Sequence, residues 1–222
     1  MRRIVVICEG QTEEAFINKI LVPFFAEKSI YLSARLIGKP GHKGGNIKYP
    51  RTITDINIIL QTDKGCYCTT FFDYYGIHED FPGKAESKKF AAICDKQNAM
   101  HTEFMNNVST DLPDVSYRFF PNIIMHEFES LLFSSPELFS KGINDTSLET
   151  MMKKILSEKA PEEINDNPNT APSKRIVSIK KDYDKPRDGI NAAMAIGLDN
   201  IRNACPLFNA WINKIESLKD EK

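Results

Sequence analysis

Carboxylates stand in this chain at the points where apolar runs break off. Ile4-Val5-Val6-Ile7-Cys8 ends in Glu9-Gly10-Gln11-Thr12-Glu13-Glu14, the run from Tyr67 to Phe72 ends in Asp73, and Glu127 and Glu129 follow the run from Val115 to Phe120. Packing alone asks for no charge at the end of a buried strand, whereas ligands of open α/β sheets bind in the crevice outside the carboxyl ends of the strands. Carboxylates gathered on one such edge repel one another and call for a cation. Hard oxygen donors of this kind suit Mg2+ or Mn2+, which bind through a few carboxylates and keep waters and phosphate oxygens as remaining ligands. Glu9, Asp73, Glu127 and Glu129 are therefore the candidate metal ligands. For the first group the alternative is a surface turn before an ordinary helix start, which Thr12, Glu13 and Glu14 suit in any protein. Glu127 and Glu129 fall about 200° apart on a regular helix, so both face one cation only where the chain is not yet helical. Otherwise one of the two is a helix-start charge.

Phosphate chemistry also needs cations on the protein. Lys174, Arg175, Lys180, Lys181, Lys185 and Arg187 fall within one short segment, where Ile176, Val177 and Ile179 can bury the other side. Such a run either contacts nucleic-acid phosphates or is a solvated charged face. The loop of residues 38–46 carries glycines and Lys43 but does not fit G-x-x-x-x-G-K-[ST], which excludes a nucleotide P-loop and leaves a backbone-phosphate contact. Tyr74 and Tyr75, beside Asp73, are either base-stacking platforms or packing.

The elements that must position these groups are read from periodicity. Residues 3–8 form a continuous β-branched strand, with further strands over Tyr31–Ile37, Tyr67–Phe72 and Val115–Phe120. Helices are expected over about 12–28, around Ile53 to Leu60, and over about 84–107. This alternation predicts an α/β fold: an open, mostly parallel sheet flanked by helices, over residues 1–125. From 126 to 222 the pattern becomes an all-helical extension, with helices over Phe128–Phe133, Leu148–Leu156, Ser173–Lys181 and Ile190–Ile196 punctuated by prolines. Glu162 to Thr170 is the expected mobile loop.

With 222 residues, 41% of them hydrophobic and 27% charged, the chain can bury a core without staples. Its formal net charge of -1 excludes a global basic field, so any nucleic-acid contact uses a local patch. Five cysteines, at 8, 66, 68, 94 and 205, suit reduced thiols. The histidines at 42, 78, 101 and 126 do not complete a zinc site with Cys66 and Cys68. Arg2-Arg3 precedes an apolar run too short for a signal segment, and no stretch reaches transmembrane length, so a cytoplasmic protein with no membrane partner is expected.

Four stretches carry a family resemblance: Ile4-Val5-Val6-Ile7-Cys8-Glu9-Gly10-Gln11-Thr12-Glu13; Phe71-Phe72-Asp73-Tyr74-Tyr75-Gly76 with Phe81-Pro82-Gly83; His126-Glu127-Phe128-Glu129; and Pro172-Ser173-Lys174-Arg175-Ile176. Together they resemble a bacterial family of unknown function with a Toprim-like core. The first two also match, more loosely, the strand-end glutamate and aspartate motif of Toprim domains in topoisomerases, primases, overcoming-lysogenization-type nucleases and small RNA-maturation nucleases. The resemblance implies a Toprim-like sheet and a Mg2+- or Mn2+-dependent nuclease acting on DNA or RNA. Glu9 would serve as general acid/base or metal ligand and Asp73 as the first metal-binding aspartate, with Lys174 as a catalytic cation near the scissile phosphate. Lys174, Arg175, Lys180, Lys181 and Lys43 would bind the nucleic acid. One departure stands out: the usual second aspartate is Tyr75. Either Glu127 or Glu129 supplies the missing carboxylate, or the fold is a catalytically silent module. Members of the family tend to be encoded beside an ATPase in what look like defence cassettes, which makes an ATPase the implied protein partner. A topoisomerase is excluded by size, and without an obvious zinc-binding module a replicative primase is not expected. A small-nucleotide phosphohydrolase would need a closed pocket.

Overall fold

The computed structural model describes residues 2–38, 46–164 and 170–218, and it divides into two compact units: Met1–Ile123 with Ser217–Lys222, and Ile124–Glu216. Lys43, most of the glycine-rich loop and the middle of the Glu162–Thr170 loop lie outside the described residues.

The first unit is built on a five-stranded sheet. Strands β1 (Arg2–Cys8), β2 (Ile30–Leu36), β3 (Cys66–Asp73) and β4 (Phe119–Phe120) run in the order β2-β1-β3-β4, and β5 (Ile123–Ile124) also pairs with β3. The β1/β2, β1/β3 and β3/β4 pairings are all parallel. Ile4, Val6, Ile7, Cys8, Phe71 and Phe72 are fully buried, as expected of strands covered on both faces. Thr70 Oγ1 donates to the Asn122 carbonyl at 2.8 Å and accepts the Asn122 N–H at 2.9 Å, which ties β3 to the chain entering β5.

Three elements depart from the periodicity. The first helix begins at Gln11 and runs as α1 (Gln11–Phe16), a π-helical turn over Ile17–Leu21, and α2 (Val22–Ala26). Pro23 falls in the first turn of α2, where a missing N–H costs little. After α3 (Tyr49–Thr62) and β3, the long helix expected over 84–107 is instead α4 (Lys84–Ser87) and α5 (Ile93–Asp111). Gly83 enters α4 with φ +83 and lies so close to α5 that a Cβ there would sit 2.8 Å from the Met100 Cα; the two helices lie side by side and cannot be one. Of the strand expected over Val115–Phe120, only Phe119–Phe120 pairs, because Ser116–Arg118 forms a 3-10 turn. Arg118 causes this. Its buried guanidinium donates to the carbonyls of Leu60 at 2.9 Å and of Asp63 and Cys66 at 3.0 Å, so the chain turns to aim it at the amino end of β3.

The second unit is helical: α6 (Glu129–Leu132), α7 (Pro136–Ile143), α8 (Glu149–Leu156), α9 (Pro172–Ile179), α10 (Ile190–Ile196), α11 (Leu198–Ala204) and α12 (Pro206–Ser217), whose last residue falls in the first unit. Its core holds Phe128, Phe133, Phe139, Phe208 and Trp211. Gly142 on α7 faces α10 so closely that a Cβ would lie 2.7 Å from the Ala192 Cα, which makes glycine the residue that fits. Glu162, expected at the start of a mobile loop, is buried and accepts the N–H groups of Leu207 at 2.9 Å and Phe208 at 2.8 Å, capping the first turn of α12. Among the described residues no helix is long and apolar enough to cross a membrane.

Candidate functional site

In the first unit the register Cys8↔Phe71 sets Glu9 level with Phe72, one residue short of Asp73, on the carboxyl edge of two adjacent parallel strands. The Asp73 N–H donates to Glu9 Oε2 at 3.3 Å. The Glu9 carboxylate rests against Gly76, where a Cβ would fall 2.2 Å from both its oxygens, so this seat exists only beside a glycine. Asp73 is 6% exposed.

A further carboxylate is buried near the end of β1. Glu13, read from the sequence only as a helix-start charge, is 3% exposed, and its Oε2 lies 3.0 Å from where a Cβ on Gly10 would be. Burial pushes the Cys8 thiol well above its usual range, and the charges of Glu13 and Glu14 push it further. The signal that could have marked Glu13 is the glycine three residues before it.

Lys84 stands beside the same edge without any signature in the sequence pattern. It is 3% exposed, its Nζ donates to the Tyr74 carbonyl, and the ammonium stands 3.4 Å from the centre of the Tyr74 ring. Burial brings its pKa down to about 8. Tyr74, with its hydroxyl 2.9 Å from Ser87 Oγ, is packed and offers no open face for a base. Tyr75 is the more exposed of the pair and meets Tyr74 edge to face at 5.9 Å. Glu9 and Asp73 stand at adjacent strand ends, and carboxylate oxygens are the donor type that Mg2+ prefers. No group of three or more His, Cys, Asp or Glu side chains that could hold a metal ion occurs among the described residues.

In the second unit Glu127 and Glu129 are near enough to interact but take different partners. His126, at φ +74, turns the chain sharply, and Glu127 precedes the helix that Glu129 begins. Glu127 Oε2 accepts the Ser173 N–H at 3.0 Å, which caps the first turn of α9 and ties the two motifs together. Glu129 is fully buried and ion-paired with Lys185 at 3.0 Å. Burial raises its pKa, Lys185 opposes that rise, and the charge of Glu127 adds to it.

The basic run divides. Lys174 and Lys181 are exposed. Arg175 Nε donates to the Thr170 carbonyl at 2.7 Å. Lys180 is largely covered and pairs with Asp182 at 3.2 Å and Asp145 at 3.5 Å, while Arg187 pairs with Asp188 at 2.8 Å. The segment is thus partly neutralised.

Among solved structures, the C-terminal region of the Burkholderia pseudomallei OLD protein is similar over 98% of this chain and 100% of its own, at 15% identity and a TM-score of 0.46. No curated protein matches this chain. The family model of the domain of unknown function DUF4276 spans residues 8–216, from the last residue of β1 into the final helix, and the chain belongs to that family.

Proposed function

We propose that the chain is a Mg2+- or Mn2+-dependent nuclease of Toprim-like fold that hydrolyses phosphodiesters of DNA or RNA. The observation that carries this reading is the Glu9 carboxylate set on the Asp73 amide at 3.3 Å, on the carboxyl edge of parallel strands. Glu9 and Asp73 hold the cation. Bound there, the cation supplies Lewis-acid stabilisation of phosphorus-borne charge and a more acidic water. Glu9, at the rim and less buried than Asp73, moves the proton. In the second unit, Lys174 and Arg175 at the start of α9 bind backbone phosphate, with the Ser173 amide held by Glu127.

Tyr75, standing where Toprim enzymes carry a second aspartate, favours a second reading: a silent module that docks on an ATPase partner. Glu9→Gln decides between them. The substitution removes charge and proton transfer at nearly constant volume. Nuclease action predicts Mn2+-dependent cleavage of labelled DNA or RNA by the parent and at least about a hundredfold less by the variant, with an unchanged thermal melt. No cleavage by the parent, or equal cleavage by both, overturns the nuclease reading.

A further inference from the structure

We propose that Lys84 is a positioning residue for the acidic edge: its buried ammonium holds the Tyr74–Gly76 turn in the one place where that turn can seat the Glu9 carboxylate. The inference rests on the reading of this edge as a cation site, and adds the residue that keeps its geometry.

A lysine is an expensive choice here. Its ammonium is withdrawn from water, and it begins a helix, the end where cations are disfavoured. What it gains is a hydrogen bond to the Tyr74 carbonyl and the face of the Tyr74 ring. That carbonyl also accepts the Ile77 N–H at 3.4 Å, closing the turn. On the far side the Gly76 carbonyl accepts the Ile47 N–H at 2.9 Å, and the His78 N–H donates to the Ile47 carbonyl at 2.9 Å. The turn is therefore pinned by Lys84 at its first residue and by Ile47 at its last. The Gly76 α-carbon lies against both Glu9 oxygens, and Asp73 precedes Tyr74 directly. A shift of the turn by 1 Å displaces the Glu9 seat, and supporting contacts of this kind typically govern metal affinity by 10–100-fold.

Lys84→Met and Lys84→Arg separate this role from its rivals. Methionine keeps most of the length and loses the donor and the charge; arginine keeps donor and charge. Amide hydrogen exchange, read at Ile47 and His78, is expected to speed up at least about tenfold in Lys84→Met and to return toward the parental rate in Lys84→Arg, while the β1 and β3 amides stay protected. Mn2+ affinity, titrated by electron paramagnetic resonance, is expected to fall about tenfold in Lys84→Met and to recover in Lys84→Arg. If the ammonium were only a nearby positive charge, its removal would tighten Mn2+ binding. Unchanged exchange at Ile47 and His78, or Mn2+ affinity that is equal or tighter in Lys84→Met, overturns the proposal. Failure of the parent itself to bind Mn2+ refutes the cation site, and the exchange rates still decide whether Lys84 holds the turn.

Discussion

Gly76→Ala is the sharpest test of how the Glu9 seat is built. The new Cβ would lie 2.2 Å from both Glu9 oxygens, where ordinary contact begins near 3.4 Å, so the carboxylate must retreat by about 1 Å. The obstacle is the free end of a side chain, so the strain is relieved by moving it rather than by moving the backbone. Gly76 is not among the positive-φ residues, and alanine there meets no conformational penalty. The retreat breaks the bond from the Asp73 N–H, already long at 3.3 Å. Losing one such bond costs about 1 kcal/mol, and alanine returns about 0.4–1 kcal/mol by restricting the unfolded chain. The melting temperature is therefore expected to move by no more than about 2–4 °C. Mn2+ affinity is expected to fall at least about tenfold, because the ligand has left its place. Thermal melts and Mn2+ titration on the same preparations read both quantities. Parental Mn2+ affinity in Gly76→Ala would show that no cation binds at the Glu9 seat. A melting temperature lowered by 10 °C or more would show that the carboxylate does not yield.

Other consequences can be checked independently. Lys174→Ala and Arg175→Ala should each weaken nucleic-acid association and reduce the salt slope by about one, measured as binding constants at several salt concentrations; an unchanged slope in both returns α9 to a solvated face. Arg118→Met should cost about 3–5 kcal/mol by removing the three hydrogen bonds that a buried guanidinium gives to the carbonyls of Leu60, Asp63 and Cys66, read by chemical denaturation, and a loss below about 1 kcal/mol would mean that water replaces the guanidinium. His101, whose Nε2 is shut away without a hydrogen-bond partner, has its pKa lowered to about 4 by burial. The unfolded chain therefore binds the extra proton between about pH 6.5 and 4, so stability should fall as pH drops through that window. His101→Gln should flatten this part of the stability–pH curve, and an identical curve would place the proton elsewhere.

Much of the frame is legible in the sequence alone. Continuous β-branched runs mark strands buried on both faces, which is why β1 and β3, and with them the strand-end positions of Glu9 and Asp73, stand out in the residues alone. Period likewise marks α3, α8 and α10 closely. What one-dimensional patterns cannot carry is where a long polar side chain finds its partners. Arg118 looks like an outward strand residue, yet three carbonyls from a distant segment draw it inward and shorten β4. Lys84 and Glu13 look like helix-start charges, yet both are buried, one against a tyrosine ring and the other over a glycine. Lys180 and Lys185 look like phosphate ligands, yet Asp145, Asp182 and Glu129 claim them. Hydrophobic burial is local in its signature because it repeats with the period of the element. Charge pairing is decided by which chemically equivalent carboxylate or carbonyl the fold happens to bring within 3 Å, and only the tertiary structure determines that.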